Sequence, residues 1–170
     1  MINDIYALRR PGALATVARM DVPVCLMHMQ GTPATMQNAP RYEDIGREIR
    51  EFLQSRINAC CLAGVDRERI VIDPGFGFGK TRQHNHTLIT QLGWFTEIGV
   101  PVLIGVSRKK FVRSLSQVAS RQTLDEVSAL LALMAVEQGA RFVRVHNVDV
   151  TRKLLGQAYG LVPAQRSPVN

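Results

Sequence analysis

Residues 70–80 read IVIDPGFGFGK, and this stretch carries the clearest fold signal in the chain. Its first half, Ile70–Asp73, is an apolar run that ends in a carboxylate, as in a parallel strand buried on both faces. Every second residue from 75 to 79 is glycine, so the backbone can approach a ligand closely. A P-loop would need glycine at Pro74, and a dinucleotide loop would need GxGxxG, so neither is predicted. We expect a small-molecule site here; the open alternative is a turn in which Asp73 only satisfies loop amides.

The rest of the chain alternates apolar runs with amphipathic segments. Strands are predicted at Val22–Met29, Ile70–Asp73, Pro101–Val106 and Phe142–His146, behind a short stub at Ile2–Ile5. Helices are predicted at Gly12–Arg19, Ile45–Cys61, Thr87–Phe95, Leu124–Gln138 and Val150–Tyr159. This βαβαβαβα order indicates an α/β fold with parallel strands, which is either a doubly wound sheet or a barrel.

Composition favours one soluble domain at residues 1–162 with a flexible tail at 163–170, because 46% of the 170 residues are apolar and 21% are charged. The odd set of three cysteines predicts reduced thiols and a cytoplasmic location. No apolar run reaches the roughly 18 residues that span a membrane. The formal net charge of +7 should attract anions, but scattered cations and only 6% aromatics argue against a nucleic-acid surface.

Polar side chains follow every predicted strand at its C-terminal end, where parallel strands place their ligand sites. These residues are Asn3, Asp4, His28, Gln30, Asp73, Ser107, Arg108, Lys109, Arg144 and His146. Arg144 and His146 share one face of their strand by alternation, and both side chains suit a phosphate. We expect their neighbours Phe142, Val143 and Val145 to be buried. The pattern predicts a polar, anion-binding site at this edge of the sheet.

Residues 84–86, His-Asn-His, have the look of a metal pair but lie in a polar stretch without a cysteine or carboxylate nearby. We therefore predict a solvent-facing loop there and no metal ligand in this chain. Met27 is expected to form the floor of the pocket, next to His28. Gly105 should let a flat ligand lie against the strand before Ser107.

Five stretches together resemble dihydropteroate synthases, in order and over residues 2–155. They are INDI at 2–5, PVCLMHMQGTPATMQ at 23–37, IVIDPGFGFGK at 70–80, VLIGVSRK at 102–109 and GARFVRVHNV at 139–148. The resemblance implies a TIM (β/α)8 barrel, of which this chain would form the last four to five βα units. It also implies the family's reaction in folate biosynthesis. That reaction joins p-aminobenzoate to 6-hydroxymethyl-7,8-dihydropterin diphosphate and gives 7,8-dihydropteroate and diphosphate, and sulfonamides compete for the p-aminobenzoate site.

The same resemblance assigns roles to ten residues of this chain. Asn3, Asp73 and Lys109 would hydrogen-bond the edge of the pterin. Its slot would be lined by Met27, Phe78 and Gly105. Arg144 would cover the pterin face and, with His146, hold the diphosphate. Beside p-aminobenzoate would lie Ser107 and Arg108. Lys109, Arg144 and His146 would take part in the reaction, and magnesium would assist through a protein ligand outside this chain.

The chain is short for the family, because a TIM barrel has eight strands and typically about 250 residues. The sequence therefore resembles the C-terminal half of the enzyme, and we expect the chain alone to lack synthase activity. The full-length form is expected to be a homodimer. Two alternatives to the synthase are an inactive or weakly pterin-binding fragment and a pterin-dependent methyltransferase. Lys110 and Arg113 depart from the small residues usual after the SRK motif.

Overall fold

The computed structural model describes residues 1–116 and 120–160. Residues 161–162 of the predicted domain and the predicted tail at 163–170 lie outside the described residues. Five strands are present there: β1 (Ile2–Asp4), β2 (Val24–Met27), β3 (Ile70–Asp73), β4 (Leu103–Ile104) and β5 (Phe142–Val143). All neighbouring strands run parallel. The predicted stub is thus a true strand, β3 has its predicted bounds, and β2, β4 and β5 are shorter than predicted.

The strands lie side by side in the order in which they occur in the chain. β1, β2 and β3 form one ladder, and β4 pairs with β5. A bridge between Ile72 and Val102 joins the two ladders, and the Ile72 N–H donates to the Pro101 carbonyl oxygen at 2.9 Å. A doubly wound sheet would reverse its strand order at a switch point. No such reversal occurs within the described residues, so the doubly wound alternative is excluded for this part of the chain.

Seven α-helices connect and follow these strands in the described ranges. They are α1 (Ala13–Ala18), α2 (Ile45–Leu62), α3 (Arg82–Thr90), α4 (Gly93–Thr96), α5 (Lys110–Ser116), α6 (Arg121–Glu137) and α7 (Val148–Ala158). A short 3-10 turn at Arg67–Arg69 precedes β3. The single helix predicted at Thr87–Phe95 is wrong, since α3 ends at Thr90 and α4 starts at Gly93. α5 was not predicted.

The loop predicted at residues 84–86 is also wrong, because these residues lie in the first half of α3. The Thr81 hydroxyl accepts from the His84 N–H at 3.1 Å, and His84 Nδ1 accepts from the Thr81 N–H at 3.2 Å. This reciprocal cap starts the helix five residues before the predicted beginning. Asn85 is buried on the inner side of α3.

The main core lies between the outer face of the strands and the helices. Val24, Leu26, Ile70 and Ile72 are fully buried there, and α2 packs on them with Ile49, Leu53 and Ile57. The opposite, inner face carries a smaller cluster of Cys25, Val71 and Leu103. Strand alternation places Met27 and Asp73 on this inner face as well.

The buried flanks predicted around Arg144 are not found. Phe142 is 44% exposed, and Val143 and Val145 are only half-buried. Phe142 faces the inner side opposite Leu103, and β5 has β4 as its one paired neighbour in the described residues. An apolar run alone therefore overstated the packing at this strand.

All three cysteines are free thiols, and Cys25 and Cys60 are buried, as the odd count predicts. None of the helices within residues 1–116 and 120–160 combines the length and apolar character needed to cross a membrane.

Candidate functional site

The loop after β3, residues 74–80, is held tightly against the exit of β2; we refer to it as the glycine loop. Gly75 has φ +75°, and a Cβ there would lie 1.8 Å from the His28 carbonyl oxygen. At Gly79, with φ +62°, a Cβ would lie 2.7 Å from the Gln30 carbonyl oxygen. These two glycines thus allow the backbone of the loop to pack on the backbone after β2. From the sequence, the glycines were expected to allow close approach of a ligand instead.

Asp73 is buried at the base of this loop. Its Oδ1 accepts a hydrogen bond from the Gly75 N–H at 2.7 Å, so the carboxylate does satisfy a loop amide. Oδ2 receives no hydrogen bond within the described residues. Burial raises the pKa of Asp73, and the positive charge of Lys109 opposes that rise. One carboxylate oxygen is therefore fixed by the protein, while the other can accept from a ligand.

Lys109 completes the polar side of the pocket. Its Nζ donates to the Phe76 carbonyl oxygen and lies 4.6 Å from the centroid of the Phe78 ring. Burial lowers the pKa of Lys109 to about 8, although the charge on Asp73 raises it. A Cβ at Gly75 would lie 3.3 Å from Met27 Cγ, so Met27 lies beneath the same loop. A carboxylate, an ammonium group and an aromatic ring are thus gathered in one place.

The turn after β4 is fixed by polar contacts to two other elements. Ser107 is buried, and its Oγ accepts from the His146 backbone N–H at 3.2 Å and lies 3.1 Å from His146 Nδ1. Arg108, with φ +57°, donates from Nε and Nη2 to the two Asp125 oxygens at 2.7 and 2.8 Å. Asn147 Nδ2 also donates to Asp125, at 3.0 Å. Asp125 on α6 therefore links the loops after β4 and β5.

Asp125 was missed by the sequence analysis, although it is a carboxylate among the buried positions of α6. The Arg108 guanidinium holds the pKa of Asp125 down at about 2. The ion pair directs the Arg108 guanidinium toward α6. The role predicted for Arg108 beside p-aminobenzoate stays a prediction.

Arg144 and His146 both lie exposed at the end of β5. A Cβ at Gly105 would lie 3.8 Å from Arg144 Cβ, which places these two residues side by side just past the ends of β4 and β5. Loss of water around the His146 ring, followed by the charges on Arg108 and Arg144, lowers the pKa of His146. The lowered pKa favours the neutral form of the His146 ring.

Asn3 is the most isolated of the predicted residues. It pairs with Cys25 on the inner face and is exposed. Its side chain forms no hydrogen bond within the described residues. The structure thus groups Met27, Asp73, Phe78 and Lys109 in one cluster and Ser107 with His146 in another, with Asn3 apart.

Two buried polar residues, His28 and Lys80, lie next to Asp73; the sequence placed His28 among the polar strand ends but assigned neither residue a contact with the ligand. Lys80 Nζ lies 3.0 Å from His28 Nδ1 and donates to the Phe78 carbonyl oxygen at 3.0 Å. Burial lowers the pKa of Lys80 to about 7 and that of His28 to about 2. His28 is thus neutral and accepts from Lys80. The signal in the sequence was Lys80 itself, directly after Gly79, which was considered only as part of a P-loop and set aside because Pro74 does not fit that motif.

A cavity of about 750 Å³ opens beside the glycine loop, between Phe78 and the start of α5. Its wall includes five cationic side chains and no carboxylate among the described residues: Lys80, Arg82, Arg108, Lys109 and Lys110. A second groove of about 860 Å³ lies on the outer helices between α2 and α4, away from the strand ends. The charge of the first cavity suits an anionic ligand.

Comparisons with known proteins place this chain in a family. Residues 1–146 match the profile of the family described as pterin binding enzyme. The curated dihydropteroate synthase of Haemophilus influenzae is 46% identical over 155 residues, which are 91% of this chain and 56% of that protein. The chain thus spans little more than half the length of the curated relatives it matches. The resemblance stated from the sequence is confirmed.

Solved structures agree with this similarity. The chain superposes on Yersinia pestis dihydropteroate synthase in a sulfonamide drug complex with a TM-score of 0.89 and 41% identity, covering 94% of this chain and 57% of that one. For Xanthomonas albilineans dihydropteroate synthase in complex with 7,8-dihydropteroate, the TM-score is 0.85 at 44% identity, with coverage of 96% and 62%. At these identities the likeness concerns the fold and the sequence together.

Proposed function

The chain belongs to the pterin-binding enzyme family, and on that premise we propose that it acts in a dihydropteroate synthase. The reaction joins p-aminobenzoate to 6-hydroxymethyl-7,8-dihydropterin diphosphate and releases diphosphate. Curated relatives of that name and solved synthase structures support the proposal. The five parallel strands would correspond to the last five βα units of a TIM barrel, since they follow one another in chain order.

The observation that carries the proposal is the cluster around Asp73. A pterin has a flat ring with donors and acceptors along one edge, so it needs fixed polar groups beside an apolar surface. Asp73 offers a free carboxylate oxygen, and Lys109 places an ammonium group near the Phe78 ring. Met27 and Gly105 would line the slot, and Asn3 would reach the ring from β1.

The leaving diphosphate would lie toward β5. Arg144 is exposed just past the end of β5, and the cationic cavity lies beside the turn after β4, with Arg108 and Lys109 in its wall. In the transition state negative charge grows on the departing group, so fixed cations that meet it lower the barrier. His146 would contribute a neutral N–H. Ser107 and Arg108 would lie near p-aminobenzoate. The C–O bond to diphosphate would break first, and the amine nitrogen of p-aminobenzoate would then attack the methylene carbon of the pterin cation and lose one proton.

Magnesium stays a prediction; within the described residues no three His, Cys, Asp or Glu side chains come close enough together to hold a metal ion. No step of this proposal depends on it. A homodimeric full-length form, a cytoplasmic location and the lack of nucleic-acid binding stay predictions.

The proposal is tested by calorimetric titration of the 170-residue chain with pterin diphosphate and with the parent hydroxymethylpterin. We expect Arg144→Ala to weaken binding of the diphosphate more than that of the alcohol, because the guanidinium contacts the anion. Equal loss for both ligands would contradict this placement of the diphosphate. A pterin-dependent methyltransferase would instead prefer a methylated reduced pterin without diphosphate.

A further inference from the structure

The glycine loop has an unusual set of hydrogen bonds. Four consecutive carbonyl oxygens, from Phe76 to Gly79, each accept from a side chain. The donors, in that order, are Lys109, Gln37 at 2.7 Å, Lys80 at 3.0 Å and Tyr42 at 2.8 Å. A loop with three glycines is flexible in isolation, so each added contact removes conformational freedom from it.

Two of these donors come from one segment, residues 30–42 between β2 and α2. This segment is closed at its base, because Gln30 Nε2 donates to the Arg41 carbonyl oxygen at 2.7 Å and Gln30 Oε1 accepts from the Arg41 N–H at 3.1 Å. Gln37 lies between these ends and Tyr42 directly after them, and both side chains donate to the glycine loop. Gln37 also lines the cationic cavity, next to Phe78 and Lys109.

Gly77 is held through both of its peptide groups. Its N–H donates to Oδ1 of the buried Asn85 at 2.7 Å, and its carbonyl accepts from Gln37. Gly77 has φ +75°, a conformation that side-chain-bearing residues rarely adopt. The next residue is Phe78, whose ring faces the Lys109 ammonium. Fixing the two peptide groups of Gly77 therefore fixes the backbone position from which the Phe78 side chain extends.

Gln37 differs from the other donors because it is exposed. Solvent-exposed hydrogen bonds add little to folding, since water replaces the partner at small cost. A role in stability therefore does not explain why the Gln37 amide donates to the Gly77 carbonyl oxygen, 40 positions away in the chain. A role in holding the shape of the ligand pocket agrees with its position on the cavity wall.

We propose that Gln37 is a positioning residue for the pterin site: by holding the Gly77 carbonyl it fixes the Phe78 ring against Lys109. This inference rests on the proposed function for the identity of the ligand. It adds Gln37, a residue that had no role in the site predicted from the sequence.

The test compares Gln37→Met, which keeps the length of the side chain and removes the donor, with Gln54→Met. Gln54 donates to Asn58 along α2, away from the glycine loop, and is the matched control. Binding of 6-hydroxymethylpterin is measured by calorimetry, and the free energy of unfolding by urea titration. We expect Gln37→Met to weaken pterin binding by about two- to tenfold with unchanged stability. The control should match the wild type in both.

Amide hydrogen exchange gives a second readout that needs no ligand. The Gly77 and Phe78 N–H groups donate to Asn85 and to the Gly75 carbonyl, so they report on the shape of the loop. Exchange at these two amides should be faster in Gln37→Met and slow again in Gln37→Lys, which keeps a donor. Unchanged exchange, or an affinity loss matched by an equal loss of stability, would overturn the positioning role. Lack of pterin binding by the wild type would instead overturn the proposed function, while the exchange result would still decide the role of Gln37.

Discussion

Replacing Gly75 by alanine tests whether the glycine loop packs on the exit of β2. A Cβ at this position would lie 1.8 Å from the His28 carbonyl oxygen, whereas carbon–oxygen contacts in proteins are about 3.3 Å or longer. Backbone would have to move by roughly 1.5 Å to relieve the overlap. The matched control is Gly64→Ala at the end of α2, since Gly64 also has positive φ, +92°, but nothing lies within 4 Å of its Cβ position.

The two variants share one energetic term and differ in another. A left-handed backbone conformation costs a residue other than glycine about 1–2 kcal/mol, and this cost lowers the free energy of unfolding in both variants. Overpacking in a close-packed region adds about 1–3 kcal/mol at position 75 alone. We therefore expect Gly75→Ala to lower the free energy of unfolding by about 2–5 kcal/mol and Gly64→Ala by about 1–2 kcal/mol.

The assay is urea unfolding of the purified chain, followed by circular dichroism and extrapolated to water. Gly77→Ala should resemble the control, because its Cβ would meet only the flexible Lys109 side chain, at 3.2 Å from Cδ. Equal destabilisation by Gly75→Ala and Gly64→Ala would refute the close contact between the glycine loop and β2.

Two further predictions concern the dependence of stability on pH. The folded pKa of Lys80 is about 7, well below its unfolded value, so the unfolded chain binds more protons than the folded chain above pH 7. The free energy of unfolding should therefore rise between pH 7 and 8.5, by up to about 1.4 kcal/mol per pH unit from this group. Urea unfolding at several pH values should show a smaller slope in Lys80→Met, and an unchanged slope would contradict the buried ammonium. The folded pKa of His28 is about 2, so stability should fall as pH drops below the unfolded value of about 6.5. His28→Gln should be less sensitive between pH 6.5 and 5, and equal sensitivity would show that His28 is solvated.

The elements that sequence patterns predicted correctly are those set by local chemistry. Ile70–Asp73 has its predicted bounds because an apolar run is closed by a carboxylate and a proline. The start of α3 was missed because its capping box uses His84, where Glu or Gln is the usual partner. Phe142 was assigned to the core because hydrophobicity does not reveal whether a strand has neighbours on both edges.

In the candidate site too, residues in local motifs could be predicted, whereas residues joined by long-range contacts could not. Asp73 and Lys109 stand in recognisable motifs at strand ends, so their convergence follows from a parallel sheet. Gln37 and Asp125 reach the site only through contacts that link residues 40 and 17 positions apart in the chain. Short-range patterns contain no record of such contacts, and the roles of these two residues had to come from the structure.

The central claim is that a buried carboxylate after β3 binds a pterin, and calorimetry on Asp73→Asn tests it most directly. The 170-residue chain is titrated with 6-hydroxymethyl-7,8-dihydropterin diphosphate as wild type, as Asp73→Asn and as Asp21→Asn, whose carboxylate is fully exposed. A hydrogen bond to a charged group contributes about 1.5–3 kcal/mol, so Asp73→Asn should weaken binding by about ten- to more than a hundredfold. Asp21→Asn should bind as the wild type does. Unchanged affinity in Asp73→Asn, or no binding by the wild type, would contradict the claim.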